Sequence, residues 1–554
     1  MSVGRRRFLQ TAGGAGAALV ASGLRGLRAQ TSARATDSRI EVLLDERLGR
    51  IAPEQHGHFV EHLGAVVYDG IWVGEGSKVP NVRGLRKELV DRLRTVKPGV
   101  IRWPGGCFAD QYDWRDGTGP VDRRPRRTNF WLGAREWPKG ASKTGPQVFE
   151  PNRFGSVEFA RFCSLVGAEP YFAANLRSQT PQDFWHWIEY CNAPAGSTTL
   201  ADLRAADGEK EPLHVRYWGV GNESWGCGGN FSPEEYATEY RRFAAWYPAF
   251  AEDPRLVASG PNAGSLEWTR GFFGGWHGRG PLFGFALHHY AWNASGGRTS
   301  DWFQGKSDAL RFDDEQYHEI VREADRMESL ITSHWSAMGE TDKEHRVKLV
   351  VDEWGAWHSS GTEPFPEALL GQQSTMRDAL VAGLTLDTFH RNPEKVAMGN
   401  VAQLVNCLQS LFLAHEDKLC VTPTYHVFDM HSGHLGGESL RTVVSAPRVP
   451  YTRNGQPASL YGLNGSASVK DGALLLTVTN PSLREAREAE VVLRGAKVRS
   501  AAVVTLAASD VHRGNTFDDP RAVEPRREPL AAGGASFVHR FPPASVTALE
   551  LALA

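Results

Sequence analysis

The sequence is poor in the residues that most often announce chemistry by spacing alone. Its six cysteines, Cys107, Cys163, Cys191, Cys227, Cys407 and Cys420, are scattered over 554 residues, and no two stand in C-x-x-C spacing. That argues against a zinc site and against a dense disulfide framework, and it leaves scattered buried thiols as the expectation. A helical His-Glu-x-x-His is missing as well. His56 and His58 share a strand face, but with no further ligand pattern they predict no metal centre. There is no basic stripe and no internal repeat, and the formal charge is only −2, which argues against a nucleic-acid partner. Beyond residue 430 the chain has no Trp, only Tyr451, Tyr461, Phe517, Phe537 and Phe541. A C-terminal domain so composed lacks the aromatic row with which a sheet grips sugar by itself.

What the chain does contain begins with a segment to be set apart from fold reasoning. Arg5-Arg6-Arg7-Phe8-Leu9 is followed by an Ala/Gly-rich apolar stretch to Leu24 and then by Leu27-Arg28-Ala29. The pattern resembles a bacterial twin-arginine export signal, and the stretch is too short and too rich in glycine to span a bilayer well. The expectation is a signal over residues 1–29, a periplasmic or secreted product, and no membrane association after export. Removing that segment takes away five arginines and no acid, which moves the net charge from −2 to −7.

A hydrophobic fraction of 41% with 23% charged residues is ordinary for a globular protein, and the length allows one large domain and a smaller one. From about residue 50 to 410, short apolar runs alternate with helical periods. The runs are His56–His62, Gly99–Trp103, Pro170–Asn175, His214–Val220, Arg255–Pro261, Phe283–Tyr290, Lys348–Trp354 and Val396–Gln403. Helical stretches such as Leu85–Thr95, Ser156–Leu165, Pro233–Ala249, Asp314–His334 and Thr375–His390 separate them. Eight strand-then-helix units predict an α/β fold, a (β/α)8 TIM barrel over residues 50–425. The texture then changes to short alternating strands, among them Leu440–Val444, Ala473–Thr479, Val498–Leu506 and Ser545–Leu551. They predict a C-terminal antiparallel β-sandwich over residues 426–554, joined by an N-terminal strand within residues 30–49.

Barrels of this kind carry their chemistry at the C-terminal ends of the strands. Trp218-Gly219-Val220-Gly221-Asn222-Glu223 ends the fourth run and Val350-Val351-Asp352-Glu353-Trp354 the seventh. Two carboxylates facing one barrel mouth suit glycoside hydrolysis, in which one group protonates the leaving oxygen and the other attacks the anomeric carbon. Glu61 and His62 end the first run, Arg102 the second, His288 and Tyr290 the sixth and Gln403 the eighth. A field so dense in donors and acceptors suits a hydroxyl-rich ligand. A lone rim Glu or His is usually a solvated or salt-bridged side chain; it is the coincidence of many that points to a site.

Six ordered motifs carry a specific resemblance: Gly57-His58-Phe59-Val60-Glu61-His62-Leu63-Gly64, Arg102-Trp103-Pro104-Gly105-Gly106-Cys107-Phe108, Trp218 to Glu223, Leu287-His288-His289-Tyr290, Val351-Asp352-Glu353-Trp354, and Ala402-Gln403-Leu404-Val405-Asn406. The chain resembles the glycoside hydrolase family 51 α-L-arabinofuranosidases from about Ile40 to Leu551. The resemblance implies retention through a covalent glycosyl-enzyme, with Glu353 as nucleophile and Glu223 as acid/base. It places Glu61, Arg102, Asn222, Tyr290 and Gln403 on a terminal arabinofuranose and His288 in support of the pocket, with Arg102 keeping Glu353 ionised. It also implies no cofactor, arabinose-containing oligo- or polysaccharides as substrate, and a homo-oligomer. Cys107 departs from the Asn that many members carry there; a thiol would weaken or move any sugar contact. Trp354 stands beside the nucleophile as a further candidate. Two rival readings remain: an endo-glucanase or β-xylosidase on the same carboxylates, and a non-catalytic carbohydrate-binding protein. Connections such as Thr118–Val148 and Cys191–Leu213 are long enough to wall in a pocket; a closed pocket favours exo action and an open cleft endo action, and loop lengths alone do not decide between them.

Overall fold

The computed structural model describes residues 36–133, 148–248, 253–292 and 305–554. The twin-arginine segment read from residues 1–29 lies outside the described residues. Ser38–Arg50 forms the first strand, β1. Eight parallel strands then close a barrel: β2 (Gly57–Phe59), β3 (Val100–Trp103), β4 (Glu169–Ala174), β5 (Tyr217–Val220), β6 (Arg255–Ala258), β7 (Gly284–Ala291), β8 (Lys348–Ala356) and β9 (Val396–Ala402). Each pairs with the next in sequence, and β9 closes on β2 through Asn400↔Gly57. Runs such as Val100-Ile101 and Leu349-Val350-Val351 are buried on both faces, as a parallel sheet under helices requires. Val100, Tyr171, Tyr217, Val257, Ala286, Val350 and Met398 pack with one another as a closed layer inside the barrel. The interior is therefore filled below the mouth, and anything reactive sits above that floor.

The first barrel strand, β2, is shorter than the run His56–His62 predicts. Pairing stops after Phe59 because the Glu61 amide donates to Gln403 Oε1 at 3.1 Å instead of to a strand neighbour. Helices cover the outside: α1 (Lys87–Val96), α2 (Ser156–Val166), α3 (Pro181–Asn192), α4 (Pro233–Ala244), α5 (Leu266–Trp276), α6 (Asp314–Asp325), α7 (Met327–Gly339) and α8 (Met376–Arg391). In α1 the buried Leu89, Val90, Leu93 and Val96 recur at helical spacing. Thr180 and Asp183 cap α3 reciprocally, and Ser232 and Glu235 do the same for α4. The stretch Asp314–His334, predicted as one helix, divides at Arg326, between Asp325 bonded to Asn464 and Glu328 bonded to Arg391. No helix among the described residues is long and apolar enough to cross a membrane.

After the barrel, β10 (Glu438–Ser445), β11 (Asn464–Lys470), β12 (Ala473–Asn480), β13 (Arg487–Arg494), β14 (Val498–Ala507), β15 (Arg526–Pro529), β16 (Ser536–Phe541) and β17 (Ser545–Leu553) build one sheet with β1. Its order is β15-β14-β17-β12-β11-β10-β1-β13-β16. Strands from both ends of that order share a single core of Ile40, Val42, Leu440, Leu476, Val491, Val503, Phe541 and Leu549, so the sheet folds over on itself as a sandwich. One pairing is not antiparallel: β1 runs parallel to β13, Ile40 opposite Val491. A strand that comes from the other end of the chain is not bound to a neighbour by a hairpin, and either direction is open to it.

Helix α8 is buried nearly throughout, because the barrel lies on one side and the sandwich on the other. Two of its polar side chains are paired on either side, Asp387 with the sandwich and His390 with the barrel. Asp387 accepts from Ser466 Oγ at 2.7 Å, and His390 Nε2 faces His56 Nε2 at 2.9 Å. Burial depresses the titration of both histidines strongly, and their histidine neighbours depress it further, so the boundary is built for neutral imidazoles.

Candidate active site

The barrel mouth is organised around Arg102 at the end of β3. Its guanidinium lies over the Phe59 ring, 4.7 Å from the centroid, and is fully buried. Nη1 donates to Glu353 Oε1 at 2.8 Å, Nη2 donates to Asn222 Oδ1 at 2.6 Å, and Nε stands 3.2 Å from Asp352 Oδ2. Burial by itself would lower the titration of Arg102, but Asp352 and Glu353 outweigh it and raise it, so the cation is permanent.

Glu353 is buried, yet its carboxyl is held below the ordinary carboxylate range. Desolvation raises it; the charges of His288 and Arg102, with hydrogen bonds from Arg102 and from Tyr290, lower it by more. The Tyr290 hydroxyl donates to Glu353 Oε2 at 2.7 Å, and the Tyr290 ring packs edge-on against Trp357. Both Asp352 and Glu353 reach Arg102 although they are neighbours on one strand. Register shifts between Val351 and Trp354 against β9, and between Ala286 and His288 against β7, allow this. A bulge next to a site commonly re-aims a side chain in this way.

Glu223 sits one turn past β5 with φ +40, after Gly221 at φ +82. Its Oε1 is 3.1 Å from His288 Nδ1, and that nitrogen is 3.6 Å from Glu353 Oε2. One oxygen of Glu223, one of Glu353 and a ring nitrogen of His288 all lie within 4.8 Å of one another. Desolvation would lower His288, but Glu353 and Glu223 raise it, and Arg102 offsets only part of that. The three donors are near enough to hold a cation between them; the pinned anion and the bridging imidazole equally suit acid, base and nucleophile work on a sugar.

Glu61 forms the opposite wall. Its Oε1 accepts from the amides of Gly106 at 3.0 Å and Phe108 at 2.9 Å, and Gln403 Nε2 donates to Oε2 at 3.3 Å. Burial pushes this carboxyl up to about 7, against the pull of the two amides. The glycines are dictated by close approach: a Cβ on Gly105 would lie 2.6 Å from Glu61 Cγ, and one on Gly106 would lie 2.9 Å from Glu353 Oε1.

Comparison with known proteins places the chain in a family. Residues 92–293 match the family model described as the α-L-arabinofuranosidase 1 domain, and residues 352–545 match the α-L-arabinofuranosidase C-terminal domain. A Bacteroides ovatus protein named intracellular exo-α-L-arabinofuranosidase is 34% identical over 530 residues, 95% of this chain and 96% of its own. The chain belongs to the α-L-arabinofuranosidases of glycoside hydrolase family 51. The crystal structure of a family 51 arabinofuranosidase from Xanthomonas axonopodis pv. citri superposes with a TM-score of 0.84 at 33% identity, covering 93% of this chain and all of that one. An arabinose complex of the Thermotoga maritima α-L-arabinofuranosidase gives 0.77 at 28%, covering 93% and 99%.

Within this family 51 fold, Glu61, Arg102, Asn222, Glu223, His288, Tyr290, Glu353 and Gln403 come together at the mouth. Two expected candidates stand elsewhere or differ in kind. Trp354 is buried behind the strand, stacked on Phe428 and edge-on to Phe389, because the next residue on a strand faces the other way. Cys107 is not a thiol: it is joined to Cys227 in a disulfide with Cα atoms 5.5 Å apart. Sequence reasoning expected separate thiols because 120 residues part the two, and only barrel closure brings their loops together. His62, read as a rim residue, is structural: Trp103 Nε1 donates to it and Glu150 accepts from it. The sequence reading missed Asp352 as a partner of Arg102. It also missed Asp110, which accepts from the amides of Leu176 at 2.9 Å, Arg177 at 3.2 Å and Asn222 at 3.1 Å. A buried-loop Asp three residues after Cys107 was the available signal.

Proposed function

We propose that this chain is a retaining, exo-acting α-L-arabinofuranosidase. The observation that carries the reading is the approach of one Glu223 oxygen to one Glu353 oxygen within 4.8 Å, with Glu353 held as an anion by Arg102 and Tyr290. Retention calls for carboxyls about 5–5.5 Å apart and inversion for about 6.5–9.5 Å, because an inverting enzyme must fit a water between acid and sugar. Glu353 attacks the anomeric carbon as the bond to the leaving oxygen breaks, and the Glu223 proton passes to that oxygen. Glu223, now ionised, takes a proton from water as the water displaces Glu353 and frees the sugar. Glu61, Arg102, Asn222, Tyr290 and Gln403 line the place of the terminal ring. Nearly all of them are less than a tenth exposed, a depth that a chain end reaches more readily than the middle of a polymer. The name printed for the Bacteroides ovatus relative supports exo action as well.

The test is hydrolysis of an aryl α-L-arabinofuranoside followed by proton NMR, beside a β-D-xylopyranoside and a soluble β-glucan. Arabinose appearing first as the α-anomer is the expected result. The β-anomer appearing first would exclude retention, and a glucan losing viscosity with no arabinose released would make the enzyme endo-acting.

Export by the twin-arginine route is part of the same proposal, resting on Arg5-Arg6-Arg7-Phe8-Leu9 and on a disulfide half-buried at the site, which an oxidising compartment favours. The Bacteroides ovatus relative is named intracellular, so its name does not support the export proposed for this chain. Activity confined to the cytoplasmic fraction, with residues 1–29 retained, would count against export. A homo-oligomer, for which the exposed Val443, Val538 and Tyr461 offer apolar contact, is read by sedimentation.

A further inference from the structure

Two links run from the loop after β3 to the turn that carries Glu223. Asp110 Oδ2 accepts from the Asn222 amide at 3.1 Å, and Cys107 is bonded to Cys227. The backbone of the turn has its own supports besides. The Gly226 amide donates to the Glu223 carbonyl at 2.7 Å, Phe231 to the Ser224 carbonyl at 2.8 Å, and the Ser224 amide to Ser259 Oγ at 3.1 Å. The fold of the turn therefore does not depend on the disulfide.

The Glu223 side chain is placed differently. One oxygen meets His288; the other, Oε2, rests 3.8 Å from Cys227 Sγ, which is also 3.8 Å from Asn222 Nδ2. A sulfur in a disulfide has no hydrogen to donate. It confines Oε2 by shape and leaves that oxygen free to exchange a proton with a ligand. Once the bond to Cys107 is broken, the Cys227 side chain can turn about its Cα–Cβ bond, and its thiol becomes a donor to the carboxylate it formerly only faced.

We infer that the Cys107–Cys227 disulfide is a positioning element for Glu223, and that its reduction slows proton transfer to the leaving group while leaving the fold and the Glu353 side of the site intact. The inference rests on the reading of Glu223 as acid/base. The step balances with a dithiol: its two sulfurs close into a ring disulfide, and their protons and two electrons pass to Cys107 and Cys227. Both cysteines are only half-buried, whereas Cys163, Cys191, Cys407 and Cys420 are buried, so a dithiol reaches this pair first.

The experiment compares the oxidised mature enzyme, the enzyme reduced with dithiothreitol, and the Cys107→Ala/Cys227→Ala variant. Mass spectrometry after alkylation verifies which thiols are free. Two substrates are read: an arabino-oligosaccharide, whose leaving group needs a proton, and 2,4-dinitrophenyl α-L-arabinofuranoside, whose leaving group does not. For the oligosaccharide, kcat/KM falls about tenfold, a fraction of what general acid catalysis supplies. For the dinitrophenyl glycoside it changes less than twofold, and reoxidation of the reduced enzyme restores both. Equal falls on the two substrates, or none on either, would overturn the inference; should the double variant not fold, the reduced wild-type enzyme decides alone. Glu223→Ala run in parallel separates the underlying reading. If it too shows no dependence on the leaving group, the acid/base assignment fails; if it does and the reduced enzyme does not, the positioning role fails. Crystals of the double variant read the same point without turnover, since an unchanged Glu223–His288 contact at 3.1 Å would also overturn it.

Discussion

Replacing Glu353 by Gln should lower kcat/KM on every arabinofuranoside by on the order of 10⁵-fold, whatever the leaving group, because the proposed mechanism gives this carboxylate the covalent bond to the anomeric carbon. The amide is nearly isosteric: its carbonyl can take the place of Oε1, which accepts from Arg102 Nη1 at 2.8 Å, and its NH2 can donate to the Tyr290 hydroxyl oxygen, which now donates to Oε2 at 2.7 Å, so the fold is retained. The contrast with Glu223→Ala makes the assignment sharp. Without Glu223, natural glycosides should suffer far more than dinitrophenyl glycosides, and azide should rescue turnover with retained configuration. Steady-state rates on both substrate types and NMR of the azide product check this. Rescue of Glu353→Ala by azide with an inverted product is the matching expectation. If azide instead gives inversion in Glu223→Ala, the two roles are exchanged.

Arg102→Met should have the second largest effect, and it should appear in stability as well as in rate. The wild-type cation stands against two buried carboxylates, Asp352 and Glu353, at 3.2 and 2.8 Å. Removing one partner of a buried ion pair leaves uncompensated charge, a loss of about 3–5 kcal/mol. It also removes a donor to Glu353 and to Asn222, for which about 10²–10³-fold in rate is expected. The pH dependence follows from the sign. Glu353 is now held below its ordinary value, so the stability it contributes is present above the unfolded carboxylate range and is lost as pH falls through the folded value. Without Arg102 the carboxyl rises, and the acid limb of kcat/KM moves to higher pH. Thermal melts at two pH values and a rate profile across the acid range measure both. An unmoved acid limb would mean that His288 and Tyr290 alone keep Glu353 ionised.

How much of this was legible in the sequence depended on how local each signal was. The Leu349-Val350-Val351 run, the Gly105-Gly106 pair and the Asn222-Glu223 pair are short-range patterns, and each found its place on a strand or at a strand's end. Boundaries fared less well where a side chain replaced a ladder partner. The first barrel strand stops at Phe59 because Gln403, more than three hundred residues away, takes the Glu61 amide. The direction of β1 against β13 was likewise open, since no hairpin joins them.

Sequence by itself determined the eight strand-and-helix units, the sandwich texture after them, and the polar residues that end the strands, because periodicity and strand ends are properties of neighbouring residues. Tertiary structure alone decided what those residues do to one another. Arg102 became a buried cation only when barrel closure set Asp352, Glu353 and Asn222 around it. Trp354 was turned away from the mouth by strand alternation, while the bulge let its two predecessors face Arg102. Cys107 and Cys227, distant and unremarkable in the chain, became one covalent brace beside Glu223, because a closed barrel brings the ends of all its strands to a single mouth.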